Sequence, residues 1–152
     1  MNVQDEIKAL KQRIAELEVL AKEEEKFPKV GDEYWYISSN GYILHAYNDG
    51  ITRADVGLLK IGNMFRTKEQ AEFLVEKLKV EAELRNLSDS WDLEKTQYTF
   101  SFNWEVEEFE IEYPDYNQYP DSYYFDSIDE LQQATETVGE DRIKKYIFGV
   151  GD

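Results

Sequence analysis

The side chains able to do chemistry in this chain are carboxylates, hydroxyls and one imidazole: 33 Asp and Glu, 11 Tyr, a single histidine and no cysteine. Without thiols there is no disulfide framework, thiol nucleophile or thiolate metal site. With His45 alone there is no multi-histidine metal cage within a protomer. A serine nucleophile needs a histidine base beside a sharp elbow, and His45 lies in a tyrosine-rich, strand-like run without one. A structural hydrogen-bonding role suits such a histidine better than catalysis. There is no Gly-x-Gly-x-x-Gly and no Walker loop. The acidic run lacks the spacing of a calcium loop, and nothing singles out one carboxylate pair for glycoside hydrolysis. The expectation is a protein that is not an enzyme and uses no metal or cofactor.

What remains is charge. The 17 basic and 33 acidic residues leave a net −16. Residues 89–141 hold sixteen acids against Lys95 alone, and ten acids with no base run from Glu105 to Glu130. Such a field opposes direct binding of nucleic acid or an anionic membrane and favours a basic partner. Glu105, Glu107, Glu108, Glu110, Glu112, Asp115 and Asp121 are the candidate contacts, with Tyr113, Tyr116 and Tyr119 as aromatic anchors. On a strand, alternate residues stand roughly 6.6–6.8 Å apart, near the distance between successive phosphates of a nucleic-acid strand. Glu108, Glu110 and Glu112 would then form a ladder on one face. The outer face of an ordinary antiparallel sheet would also carry such a row.

The elements that must position these groups follow from periodicity. Residues 3–26 read as a helix with Ile7, Ile14 and Ala21 at heptad position a and Val3, Leu10 and Leu17 at d. Glu6 at g faces Lys11 at e′, and Arg13 at g faces Glu18 at e′, as in a parallel pair. The expectation is a homodimer seamed by Ile7, Leu10, Ile14 and Leu17 and packed near Phe73, Val80 and Leu84. The alternative is a helix lying on its own domain. Phe27-Pro28 ends the helix.

Asn40-Gly41 between residues 33–39 and 42–48 predicts a two-residue hairpin turn. That register pairs Trp35 with Ala46 and Ile37 with Leu44 on a core face, and Tyr34 with Tyr47 and Tyr36 with His45 on the other. A short strand is expected near Leu58–Ile61. Thr67 caps a helix that runs to about Leu87, with Gln70 completing a capping box. Two apolar stripes line this helix: Ala71, Leu74, Val75, Leu78 and Ala82, and Phe73, Val80, Leu84 and Leu87. Both would need covering. Tyr98, Phe100, Phe102 and Trp104 alternate with polar residues, and the parity shifts before Phe109, Ile111 and Tyr113, which predicts a hairpin. Tyr123–Phe125 reads as a short strand.

Ser127, Glu130, Leu131, Ala134 and Val138 repeat Thr67, Gln70, Ala71, Leu74 and Leu78 at an offset of 127 − 67 = 60 residues. Gly139 closes this helix. The predicted class is α+β: a coiled-coil arm (1–27), then a domain (28–152) of antiparallel sheet with helices on one face. That domain reads as two ββ(β)α copies, 28–88 and 89–152. No run of 18 apolar residues occurs and the start MNVQDEIKAL is not a signal peptide, so a cytoplasmic location without membrane contact is expected.

Three stretches, KVGDEYWYI (29–37), GNMFRTKEQAEF (62–73) continuing through EKLKV (76–80), and GEDRIKKYIFG (139–149), resemble small accessory proteins of phages and prophages of Gram-positive bacteria. The likeness covers most of the chain outside 89–122. It carries no residue roles, because the family has no established active site. It implies a viral protein at work in the bacterial host cytoplasm and an anti-defence role, as in anti-CRISPR and anti-restriction inhibitors. Several of these are strongly acidic and occupy a nuclease's nucleic-acid groove. The implied function is a non-enzymatic inhibitor whose acidic, tyrosine-rich surface binds a basic nucleic-acid-processing defence protein. The alternative is an oligomeric sponge for a nucleotide immune signal, lined by Tyr34, Tyr36 and Tyr47 with Arg53, Lys60 and Arg66.

Overall fold

The computed structural model describes residues 2–113 and 122–151 and has the α+β architecture expected. The chain forms two compact units, Met1–Ala71 and Glu72–Asp152.

The first unit opens with α1 (Val3–Glu24). Its start is a reciprocal cap: the Asn2 side chain accepts from the Asp5 N–H, and the Asp5 carboxylate accepts from the Asn2 N–H. None of its residues is buried. Beyond its end, the Arg66 guanidinium donates to the Glu25 carbonyl at 2.7 Å and lies 4.9 Å from the Phe27 ring centre.

Strands β1 (Glu33–Ile37) and β2 (Ile43–Tyr47) form an antiparallel hairpin, but one residue out of the expected register. Tyr34 stands opposite Ala46, Trp35 opposite His45 and Tyr36 opposite Leu44. The reason lies in the turn. A type I′ loop needs two consecutive residues at positive φ, whereas here only Gly41 takes it, at +80°. The Gly41 N–H closes on the Ser38 carbonyl and the Ser38 N–H on the Tyr42 carbonyl, so the loop has three residues, 39–41, with glycine in the left-handed position. A one-residue slip exchanges the faces. Trp35, His45 and Tyr47 now share one side; Tyr34, Tyr36 and Leu44 share the other.

The strand expected at Leu58–Ile61 is instead part of helix α2 (Arg53–Lys60). Thr52 caps it by accepting from the Asp55 N–H, and Asp55 is its one buried residue. The Asp55 carboxylate accepts from the Tyr34 hydroxyl and from the Asp49 N–H (2.9 Å). A polar anchor, which apolar periodicity does not register, therefore decides this segment. The unit ends where Trp35 exchanges both backbone groups with Phe65 (2.8 and 2.9 Å). The Asn63 carboxamide does the same for Ile37, both bonds at 2.8 Å.

Helix α3 (Lys68–Leu87) begins at Thr67, whose hydroxyl accepts from the Gln70 N–H at 3.2 Å. The Gln70 side chain reaches back to the Arg66 N–H rather than to that of Thr67. Of its two apolar stripes, the structure buries Val80 and Leu84 completely, along with Ala71. Phe73, Leu78 and Leu87 remain exposed. Val80 and Leu84 are thus spent on the core of their own chain and are not available to a second protomer.

The second unit contains the antiparallel pair β3 (Thr99–Asn103) and β4 (Glu108–Glu112), then α4 (Ile128–Val138) and α5 (Glu140–Tyr146). The predicted hairpin is present, with Phe100 opposite Ile111 and Phe102 opposite Phe109. Tyr98, just before β3, exchanges both backbone bonds with Phe125 at 2.8 Å, as Trp35 does with Phe65. Two residues after Phe125, the Ser127 hydroxyl accepts from the Glu130 N–H at 3.2 Å. The core gathers Val80, Leu84, Phe100, Phe125, Leu131, Ala134, Val138 and Ile143, with Phe148 packed against them. Gly139 separates the last two helices at φ +101°, a conformation costly for any other residue.

Candidate functional site

The β3–β4 hairpin carries the densest charge in the second unit. The register places Glu108, Glu110 and Glu112 opposite Asn103, Ser101 and Thr99, so the three carboxylates share one face with small polar residues. Phe102, Phe109, Phe100 and Ile111 take the other face. Phe100 and Phe109 hold it to the core: their ring centres are 5.4 Å apart, and Phe148 lies within 6.2 Å of both. Apolar packing on one side thus forces the acids outward on the other.

Asn103 organises the tip. Its Oδ1 accepts from the Glu105 N–H at 3.0 Å, and its Nδ2 donates to Glu110 Oε1 at 3.0 Å. One amide therefore orients both the turn and the middle rung of the ladder. The turn spans residues 104–107 and closes with Glu107 at φ +56°. At the far end of the row the Thr99 hydroxyl is buried without a hydrogen-bond partner among the described residues.

Glu105, Glu107, Glu108 and Glu112 are exposed and Glu110 is half-buried. Tyr113 is exposed, its ring meeting Tyr98 edge-on at 5.5 Å. Asp115, Tyr116, Tyr119 and Asp121 lie outside the described residues. Sequence reasoning missed two residues. Trp104, 64% exposed, and Val106 both project from the turn, between the acids. Trp104 packs against Phe102 at 4.8 Å. In the sequence it is the last aromatic of the run that begins at Tyr98, and the signal for its exposure is its position where the alternation stops. A large exposed aromatic among carboxylates is a suitable anchor for a protein partner.

The other candidate set is not brought together. Tyr34 is buried and bonded to Asp55, while Tyr47 is exposed on the opposite face of its hairpin. Arg66 is engaged with Phe27 and Glu25, and Arg53 and Lys60 stand at the two ends of α2. On the Tyr47 side, Glu33 Oε1 accepts from the Tyr47 hydroxyl at 2.9 Å and lies 3.2 Å from His45 Nε2. That carboxylate holds the Tyr47 phenol above its usual ionisation range. The Trp35, His45 and Tyr47 rings follow one another at 4.6 and 5.7 Å. His45 is therefore an exposed strand residue set between two aromatic rings, with a carboxylate neighbour.

A cleft of about 570 Å³ lies between Phe109 and Ile111 on β4 and Gln132, Thr135 and Glu136 on α4. A second, of about 460 Å³, is lined by Lys77, Arg85, Ser88 and Tyr123. Among the described residues no group of three or more acids or histidines could hold a metal ion. Nor is any helix long and apolar enough to cross a membrane. No protein-family model, curated protein or solved structure matches the chain.

Proposed function

We propose that this protein is a non-enzymatic inhibitor of the phage anti-defence type, binding a basic, nucleic-acid-processing bacterial protein through the β3–β4 hairpin. The observation that carries the reading is the register of that hairpin. Glu108, Glu110 and Glu112 share one face, Glu105 and Glu107 extend the charge around the turn, and no base interrupts residues 105–112. Carboxylates at alternate strand positions would meet Arg and Lys side chains that otherwise hold phosphates. Trp104 and Tyr113 would supply the desolvated contacts that charge alone lacks.

The test is competition. A defence nuclease captured with the wild-type chain should lose its DNA on titration with the chain, with affinity that falls as salt rises. Replacing Glu108, Glu110 and Glu112 by Gln should weaken capture and flatten the salt dependence. Trp104→Ala should weaken capture without changing the salt slope. Unchanged affinity and slope in the triple Gln variant would refute the reading.

A further inference from the structure

The apolar seam of α1 is unpartnered. Ile7, Leu10, Ile14 and Leu17 are 40%, 63%, 55% and 48% exposed, and no residue of the helix enters a core. A helix on its own domain would bury this stripe, so that alternative fails. We propose that the occupant is α1 of a second copy, parallel and in register.

Charge selects both partner and direction. In a parallel pair Glu6 meets Lys11′ and Arg13 meets Glu18′, four attractive contacts over the two flanks. The fully overlapped antiparallel pair sets Ile7 against Leu17′ and Leu10 against Ile14′, an equally apolar seam. It also places Lys11 beside Lys11′ and Arg13 beside Arg13′, where like charges repel. The two directions therefore differ in electrostatics and not in hydrophobic content. Arg13 now bonds Glu16 at 3.2 Å, an exposed contact weak enough to exchange. The seam ends at Ala21, because Glu24 at the next d position would oppose its own copy. Leu20, exposed beside Ala21, widens the last apolar layer.

The chain lacks cysteine, so Glu24→Cys makes a clean reporter. Parallel helices bring residue 24 to its copy; antiparallel ones hold the two at opposite ends. At tens of micromolar protomer, light scattering should give twice the 18.0 kDa of the chain. Ile14→Asp should give the monomer mass, with melting of the body unchanged because Ile14 touches no core. Glu18→Lys should weaken the dimer roughly tenfold, and adding Arg13→Glu should restore it. Oxidised Glu24→Cys should run as a covalent dimer. A monomeric wild type, or a dimer that survives Ile14→Asp, overturns the proposal. So does a dimeric Glu24→Cys that fails to cross-link.

Discussion

Tyr34→Phe removes one hydroxyl from the interior of the first unit, and its consequence can be worked from the structure. Tyr34 is 2% exposed and donates to Asp55, which is 6% exposed. The other Asp55 oxygen keeps the Asp49 N–H at 2.9 Å. The substitution leaves the ring packing intact and takes one donor from a buried carboxylate. A hydrogen bond to a charged group contributes about 1.5–3 kcal/mol, so a loss of about 2 kcal/mol is expected. Of the three tryptophans, Trp35 alone lies in this unit, next to Tyr34; Trp91 and Trp104 lie in the other. Urea unfolding followed by Trp35 fluorescence, with Trp91 and Trp104 replaced by Phe, reads the unit alone. The midpoint should fall by about 1 M with an unchanged slope. Asp55→Ala, which orphans both donors, should cost more. The alkaline limb gives an independent check. Burial, and then Asp55, push the Tyr34 phenol far above its ordinary value of about 10. Its contribution is therefore complete below pH 10 and is lost as pH rises further. The gap between wild type and Tyr34→Phe should narrow above pH 10. A stability within about 0.3 kcal/mol of wild type at pH 7 would refute the argument.

Two more perturbations test the frame around the sites. Arg142 grips Glu83 with two bonds of 3.0 Å and donates to the Val138 carbonyl at 2.8 Å. Both side chains are over a third exposed, so Arg142→Lys should cost only about 0.5–1 kcal/mol in thermal melts. The hydrogen bond from Arg142 holds the Glu83 carboxyl below its usual range. The difference should be full at neutral pH and fade as pH falls below about 4.3. Asn63→Ala orphans both backbone groups of Ile37 in a half-buried strand, and should lower first-unit stability by about 1–2 kcal/mol on the Trp35 probe.

The acidic frame around α4 was only half visible in the residues. Ser127 and Glu130 announce a cap, but the neighbouring Asp89 carboxylate also holds the Glu130 carboxyl above its usual range. Asp126 moves the other way, held down chiefly by the hydrogen bond from Gln97. Gln97 is buried and also joins Ser90 and Asp92, contacts separated in the chain from the helix they support.

By itself the sequence determined the helices that Thr67 and Ser127 cap, the alternation of β3 and the side of β4 that carries acid. It also determined the exposed heptad of α1. Each rests on residues within a turn or two of one another, where backbone donors and side-chain period leave little choice. Only the tertiary structure decided the register of the first hairpin, since one positive φ at Gly41 rather than two moves every β2 side chain to the opposite face relative to β1. It also decided that residues 53–60 are helical, because the buried partner of Asp55 is Tyr34, twenty-one residues away. Likewise it decided which stripe of α3 is core, and that Trp104 stands in solvent at a turn. These outcomes depend on which surfaces meet, and periodicity along one segment holds no record of its neighbour.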